Sequence, residues 1–530
     1  MRERIISSIG FALLALCFVV ALARIGLKQW WLPAVEGKEQ VTIRVAHWQL
    51  EGGVRDAFNA MAEKYMESHP HVRIQQLPVP ERIFPNWLIT QLVGGTAPDI
   101  IQIGLGMTEE RKARYFLPMS DLVDLPNPYN AGTDLDDVPL RDTFFDGMES
   151  SFSQELLEYY GLPLSGFTVR MYYNLNLLRE ITGGESLPTT YEELTRLCRQ
   201  TMDYAKRTRQ KISPIAGSKY NAPLLMDRLS SSQTGDLAKR LAYDFLPNRP
   251  STALLASAFR RGDWSLETPE VEAAMGLMRD LGQYMQPGFM QLMRDDASFY
   301  FVQGRAVMIA SGSWDSTSIR QQADFPVAVG PIPVPAPQSD PRWPYSQGPL
   351  ADSTVEAGVV MAITRASKHP EIALDFLYFM GSKPVNQLWT DVSGWLPSVV
   401  GVKPAEQSKG FAPFLDGFIG GFNLSFSGAD GMRVYRNSIN RLVSPQGSVD
   451  DFRTDLAKSY SGAIAEDLRR SSLGAVQIAQ RNDTLLAALS MLAASGEDRA
   501  SEKLDLLLQS SAGNDYGARR TPAVWKSFEN

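Results

Sequence analysis

The chain has 530 residues, 44% hydrophobic and 21% charged, ordinary values for a globular protein of several domains or two large lobes. Its formal net charge is −7 and no segment gathers a Lys/Arg stripe, which argues against nucleic acid, whose binding needs phosphate neutralisation. Two cysteines, Cys17 and Cys198, exclude a disulfide framework, and with four histidines and no C-x-x-C or H-E-x-x-H spacing they give no basis for a zinc site.

Arg2 and Arg4 precede an apolar run from Ile5 to Ala23, just long enough to span a bilayer. The run closes in Ala21-Leu22-Ala23, a small-x-small pattern suited to signal peptidase. Leu16 before Cys17 argues against lipid attachment, since lipoprotein processing wants a small residue there. Arg24, Lys28 and Trp30-Trp31 suit a membrane interface. Residues 1–39 therefore read as a cleaved signal peptide or a retained anchor with its linker, and either takes the chain out of the cytoplasm.

Val41–Ala46 alternates as a first strand ending in His47-Trp48, and a helix follows Gly52-Gly53 with Phe58, Met61, Ala62 and Tyr65 on one face. His69-Pro70-His71-Val72 turns into a second strand; the two histidines read as turn residues rather than metal ligands. After a helix at Trp87–Val93, Gly94-Gly95-Thr96-Ala97-Pro98-Asp99 leads into a buried strand, with Asp99 as a cap or turn residue. Gly104 and Gly106 follow at its carboxyl end, where backbone N–H groups can approach a ligand. Asp134, Asp136 and Asp137 lack calcium-loop spacing and read as a solvated loop.

Glu158–Leu164 and Met171-Tyr172-Tyr173-Asn174 are strand-like, and Thr190 with Glu193 spells a capping box. A short strand at Ile212–Gly217 and several helices lead to Phe301-Val302-Gln303-Gly304, where glycine stops a helix. Ala306–Ala310 is an apolar run suited to a strand buried on both faces, closed by Ser311-Gly312-Ser313-Trp314. Phe325–Pro333, Glu356–Ile363, His369–Leu377 and Gly394-Trp395-Leu396-Pro397 continue as strand, strand, helix and loop. Beyond Tyr460 the leucines at 485, 486, 489, 492, 504, 507 and 508 indicate further helices with a polar, frayed end.

Several of these segments, in this order, resemble the extracellular solute-binding proteins of ABC importers, the sugar-binding type related to maltose-binding protein. The resemblance rests on Gly94–Ile101 ("G-x-x-P-D-[IV]"), Met171–Leu178 ("L-x-Y-N-x-x-L-[LF]"), Pro188–Leu194, and Phe301–Met308 followed by Gly312-Ser313-Trp314. It covers about residues 41–460; Leu162 stands where the family's crossover has tyrosine. It implies two α/β lobes of the periplasmic-binding-protein type II fold, joined by hinge strands around a ligand cleft that closes by hinge bending. The expected division is 41–162 in the first lobe, 163–303 in the second, 304–363 returning to the first, 364–460 in the second with closing helices, and 461–530 a helical extension.

Sugars need flat aromatics for their C–H faces and polar groups for their hydroxyls. On that ground Trp48, Tyr172, Trp314 and Trp395 are the stacking candidates, Tyr173, Asn174, Ser311 and Ser313 the polar ones, and Gly104 and Gly106 the close-approach backbone. For each aromatic, Trp264 included, simple packing is the competing reading. The implied function is a monomeric receptor, with no cofactor, metal or catalytic residue, delivering a mono- or oligosaccharide to ABC permease subunits. A membrane-anchored sensor component is the alternative. A glycoside hydrolase would need two opposed carboxylates, and no acidic pair has a motif around it. Without an Arg/Lys cluster at the expected cleft loops, phosphorylated ligands are disfavoured.

Overall fold

The computed structural model describes residues 40–528 except 105, 154–155, 243–249, 337–339, 353–355 and 498, so the expected leader or anchor lies outside the described residues. Among the described residues, no helix is long and apolar enough to cross a membrane.

β1 (Val41–His47), α1 (Gly52–Ser68), β2 (Val72–Pro78), α2 (Phe84–Val93) and β3 (Ile100–Ile103) alternate as a parallel α/β unit. β1 pairs with β2 at Ile43↔Ile74 and with β3 at Val45↔Ile100. Asp99 holds the entry to β3 as a turn residue: its carboxylate accepts from the Arg44 N–H at 2.8 Å and from the Ser367 hydroxyl at 2.7 Å. After α3 (Glu109–Tyr115), a ribbon of β4 (Phe152–Ser153) and β5 (Glu158–Tyr159) leads to β6 (Leu162–Phe167).

The chain then enters a second unit: β7 (Val169–Asn174), α4 (Leu175–Thr182), α5 (Tyr191–Thr208), β8 (Ser213–Ala216), α6 (Asn221–Gln233), α7 (Gly235–Leu241), α8 (Thr252–Arg261), α9 (Pro269–Gly282), α10 (Arg294–Val302), β9 (Ala306–Gly312), α11 (Ser316–Gln322) and β10 (Val327–Gly330). The capping box at α5 is formed, Thr190 and Glu193 bonding each other's backbone N–H. Gly304 ends the turn after α10 at φ +70°, a conformation that side chains resist.

β11 (Glu356–Ile363), α12 (Pro370–Met380), α13 (Lys383–Ser393) and β12 (Leu396–Pro397) follow, then α14 (Ala429–Ser438), α15 (Asn440–Val443), α16 (Val449–Ala494) and α17 (Ala500–Lys526). The strands sort into a six-stranded sheet, β12-β6-β11-β3-β1-β2, and a four-stranded sheet, β10-β7-β9-β8. Each carries its own core. The first is built on Ile43, Val45, Phe58, Met61, Tyr65, Phe376 and Trp389, the second on Met171, Tyr173, Leu194, Trp264, Met275 and Phe452.

This pairing redraws the expected lobe boundaries. β6 belongs to the first sheet, so the first crossing falls at Thr168, not before residue 163. Residues 304–363 do not return as a block. β9 pairs with β7 and β8 and β10 pairs with β7, all in the second sheet, and β11 alone lies between β6 and β3. Likewise α12, α13 and β12 belong to the first lobe, through Phe376, Trp389 and the pairing of Leu396 with Gly166, and only the helices from α14 onward pack on the second. A buried apolar strand reads the same in either sheet; long-range pairing decides where it goes.

The chain thus crosses between the lobes at Thr168, between β10 and β11, and between β12 and α14. One carboxylate ties all three. Asp352 binds both Arg170 nitrogens, at 2.7 and 3.2 Å, lies 3.1 Å from Arg228, and accepts from the Phe414 N–H at 2.9 Å. Arg170 also donates to the Ala412 carbonyl at 2.7 Å.

Candidate functional site: the interlobe cleft

The parallel register of β1, β2 and β3 brings their carboxyl ends to one edge of the first sheet, facing the second lobe. There Trp48 follows β1, half-buried, with its edge against Phe84 (ring centroids 5.0 Å apart, planes at 66°). The Trp48 backbone N–H donates to the Gln102 side-chain oxygen at 3.3 Å. The ring lies over Gly104, where an added Cβ would stand 3.1 Å from it; at φ +142° this residue is close to obligatory glycine. Gly106, at φ +69°, approaches Pro85 in the same way. Trp48, Gly104 and Gly106 are therefore brought together as one wall, with Gly104 and Gly106 exposed.

Beneath that wall His47 is fully buried and stacked on Phe58 at 4.3 Å. Burial pushes its pKa down to about 4, so it is a neutral ring at neutral pH.

The facing wall comes from the second lobe. Val169↔Gly312 pairing sets the carboxyl end of β9 beside the crossing at Thr168, and the Ser313 N–H donates to the Thr168 carbonyl at 2.8 Å. Trp314 remains partly exposed, its ring edge-on to Phe167 at 5.5 Å, and its carbonyl accepts from the Trp395 indole at 3.2 Å. Trp314 thereby leans from the second lobe onto the core of the first.

The other expected contact residues are engaged elsewhere. Tyr172 is fully buried, its hydroxyl donating to the Gly312 carbonyl at 2.6 Å. Tyr173 is sealed in the second core. Asn174 caps α4, accepting from the Leu177 N–H at 3.1 Å. Ser311 donates to Asp315, and the Ser313 hydroxyl accepts from the Thr168 N–H at 3.4 Å. Trp395 is fully buried in the first core, and Trp264 likewise packs, donating to the Leu255 carbonyl at 2.8 Å. In this conformation none of these seven offers an open face to a ligand.

Charged residues that the motifs did not flag occupy the gap instead. Arg294, the first residue of α10 in the second lobe, reaches Glu51, just before α1 in the first lobe, at 3.4 Å. Burial raises the Glu51 carboxyl, with Arg294 pulling the other way. Burial also raises Asp315, opposed by Arg294 and the Ser311 hydroxyl. Burial disfavours charge on Arg294, but Asp315 and Glu51 outweigh it and its pKa is raised. The outcome is a part-buried cation bracketed by two carboxylates, able to donate and accept hydrogen bonds across the cleft once a polar ligand parts them. Their signals were an acid directly before Gly52-Gly53, an Arg at a helix start, and an acid directly after Trp314. Each is common enough to pass unnoticed.

The approach of the lobes is set by Gly53. A Cβ there would stand 2.9 Å from the Thr317 methyl of α11 and 3.0 Å from the Ser393 carbonyl. Thr317 donates to that same carbonyl at 2.6 Å, a hydrogen bond from the second lobe to the first.

Comparison with known proteins agrees with this architecture. The family described as bacterial extracellular solute-binding protein matches residues 60–411. The multiple sugar-binding protein of Streptococcus mutans is 23% identical over 377 residues, covering 70% of this chain and 78% of that protein. The putative ABC transporter periplasmic-binding protein YcjN of Escherichia coli is 21% identical over 346 residues, covering 65% and 70%. Among solved structures, a chitin oligosaccharide binding protein superposes with a TM-score of 0.55 at 18% identity, over 81% of this chain and all of that one. The maltose-bound MalE3 of T. maritima gives 0.54 at 17% identity, over 79% and 99%. Two lobes, three crossings between them and a family match spanning most of both lobes lead to one assignment: the chain belongs to the bacterial extracellular solute-binding protein family.

Proposed function

We propose that this protein is an extracytoplasmic receptor that binds a carbohydrate between its lobes and delivers it to the membrane subunits of an ABC importer by hinge closure. The observation that carries the reading is the cleft itself. An aromatic-and-glycine wall (Trp48, Gly104, Gly106) adjoins a charged bridge (Glu51–Arg294, supported by Asp315), the pairing of flat apolar and hydrogen-bonding surface that a sugar requires. Relatives named as sugar-binding and as ABC transporter components support the same ligand class and partner. Trp48 and Trp314 are the stacking residues in this reading, and Arg294, Glu51 and Asp315 the polar contacts. Arg294 already pairs with Glu51, which keeps phosphorylated sugars disfavoured. Residues 1–39 serve as export signal or anchor.

A thermal-shift and calorimetric screen against mono- and oligosaccharides, polyols and sugar phosphates tests the proposal. A cognate sugar at a thousand times its Kd adds about 4 kcal/mol of stability, is recovered unchanged after overnight incubation, and loses most of its effect in Arg294→Met. Hydrolysis of the sugar by the pure protein would overturn the receptor reading, as would a preference for sugar phosphates over neutral sugars.

A further inference from the structure

The family match ends at residue 411, yet the chain continues into two long helices, α16 and α17, joined near residue 497. The base of this hairpin is built into the second lobe. Phe452, Leu456, Tyr460, Ile464 and Leu468 of α16 are buried in its core. The Tyr460 hydroxyl donates to the Leu424 carbonyl at 2.7 Å. Asp467 caps α14 by accepting from the N–H groups of Asp430 and Gly431 at 2.9 and 2.8 Å. At the far end of α17, Val524 joins the same core and Arg260 donates to the Ser527 carbonyl at 2.7 Å.

The tip is elsewhere. From Leu468 to Ala494 the helix rises about 39 Å at 1.5 Å per residue, and the turn beyond it meets the first lobe. Arg499 lies 3.3 Å from Asp121 and 3.2 Å from Asp124, and donates to the Ser120 carbonyl. Lys503 lies 2.8 Å from Glu158, which also accepts from the Ser120 hydroxyl. Glu502 flanks Arg499 on its own helix, and Arg141 shares Asp124 at 2.9 Å. Glu158 stands just before β6, at the end of that strand remote from the crossing at Thr168. The hairpin thus runs beside both lobes, rooted in one and touching the other at a distance from the hinge.

We propose that the C-terminal hairpin is an interlobe strut, latched to the first lobe by Arg499 and Lys503, so that opening and closing of the cleft must break or remake those ion pairs. Lever arithmetic supports this. β6 from Leu162 to Phe167 spans about 17 Å at 3.3 Å per residue. A rigid-body rotation of about 15° moves its remote end by ~4 Å, more than a 3 Å ion pair can follow. The latch coexists here with the Glu51–Arg294 bridge across the cleft, so the two hold the same lobe separation. Because its members are partly exposed, salt weakens the latch, and cleft motion becomes sensitive to ionic strength.

The test is a distance measurement that needs no ligand. Spin labels are placed in the full chain at Glu63→Cys on α1 and Arg207→Cys on α5, both exposed, in a Cys17→Ser background; Cys198 is fully buried and stays unlabelled. The expected result is a narrow interlobe distribution at low salt. It should widen and shift by several ångströms in Arg499→Glu/Lys503→Glu, and widen similarly in the parent as salt rises from about 0.05 to 0.5 M. Adding Asp121→Arg and Asp124→Arg to Arg499→Glu should narrow it again. The salt series covers the case of a reversal variant that fails to fold. A distribution unmoved by both charge reversal and salt refutes the strut, whether or not the tip detaches. Because the readout is lobe separation, it stands or falls independently of the ligand.

Discussion

Replacing Asp352 by asparagine tests whether the three interlobe connections act as one unit. The side chains of Asp352 and Arg170 are 6% and 5% exposed, so the pair exchanges charge in a setting from which water is largely excluded. Asp352→Asn keeps the shape and removes the charge, leaving Arg170 buried opposite a neutral amide whose own N–H groups repel it. Breaking a buried pair from one side costs about 3–5 kcal/mol, a large share of the 5–15 kcal/mol that typically separates native from unfolded protein. Urea unfolding at pH 7 should show the loss as a lower midpoint with unchanged slope. Arg170→Met/Arg228→Met/Asp352→Leu, which removes the carboxylate and both cations that face it, should recover most of it, since the cost is that of the orphaned charge. The pH dependence gives an independent check. Burial alone would raise the Asp352 carboxyl, but Arg170, the Phe414 N–H and Arg228 outweigh it and hold it below the ordinary carboxylate value. Its contribution is therefore present above the unfolded pKa of about 3.9 and disappears as the pH falls through the lower folded value. The gap between parent and Asp352→Asn should close only in that acid range. A loss under about 1 kcal/mol at pH 7, or a triple variant as unstable as the single, would show that the carboxylate is not what binds the connections together.

Two further substitutions probe the cleft. His47 titrates at about 4 in the folded protein against 6.5 for a free imidazole. Stability should then fall by up to about 3 kcal/mol as the pH drops from about 6.5 to 4, because the unfolded chain takes up that proton first. His47→Phe should flatten this slope in urea midpoints taken across the range, and an unchanged slope would assign it to other groups. Gly53→Val places a branched side chain where even a Cβ meets Thr317 at 2.9 Å. It should cost about 1–3 kcal/mol by overpacking and hold α11 away from α1, enlarging the radius of gyration in small-angle scattering and weakening ligand binding. Unaltered affinity would mean that this contact plays no part in closure.

Fold and site were not equally legible in the sequence. Local chemistry read directly: the box at Thr190 and Glu193 and the stop at Gly304 depend on residues a few positions apart, where sequence and geometry are nearly the same thing, while Asp99 reads as a turn residue whose partners, Arg44 and Ser367, come from far along the chain. Sheet membership did not. β9 is buried along its whole length, so nothing in Ala306–Gly312 marks which sheet it joins; the parallel pairing with β8, nearly a hundred residues earlier, settles it. The same gap separates the two tryptophans that end strands or loops. Trp314 keeps part of its ring open while Trp395, in a similar glycine-tryptophan setting, fills the first core. An aromatic beside a glycine signals close packing, and the partner it packs on comes from another part of the chain. Glu51, Arg294 and Asp315 escaped notice for a related reason: charged residues at helix starts usually serve the helix, and only the meeting of α1 and α10 turns them toward each other.

The manner in which Asp467 and Tyr460 are used separates ancestry from autonomy. The family match ends at residue 411, but a carboxylate fifty-odd positions later seats the start of α14, and a row of side chains from the first half of α16 completes the second lobe's interior. A chain cut at residue 411 would therefore be an unfinished protein rather than a simpler receptor. Losing the first turns of α16 would expose a core, whereas losing only the distal hairpin would leave both lobes whole but unbraced.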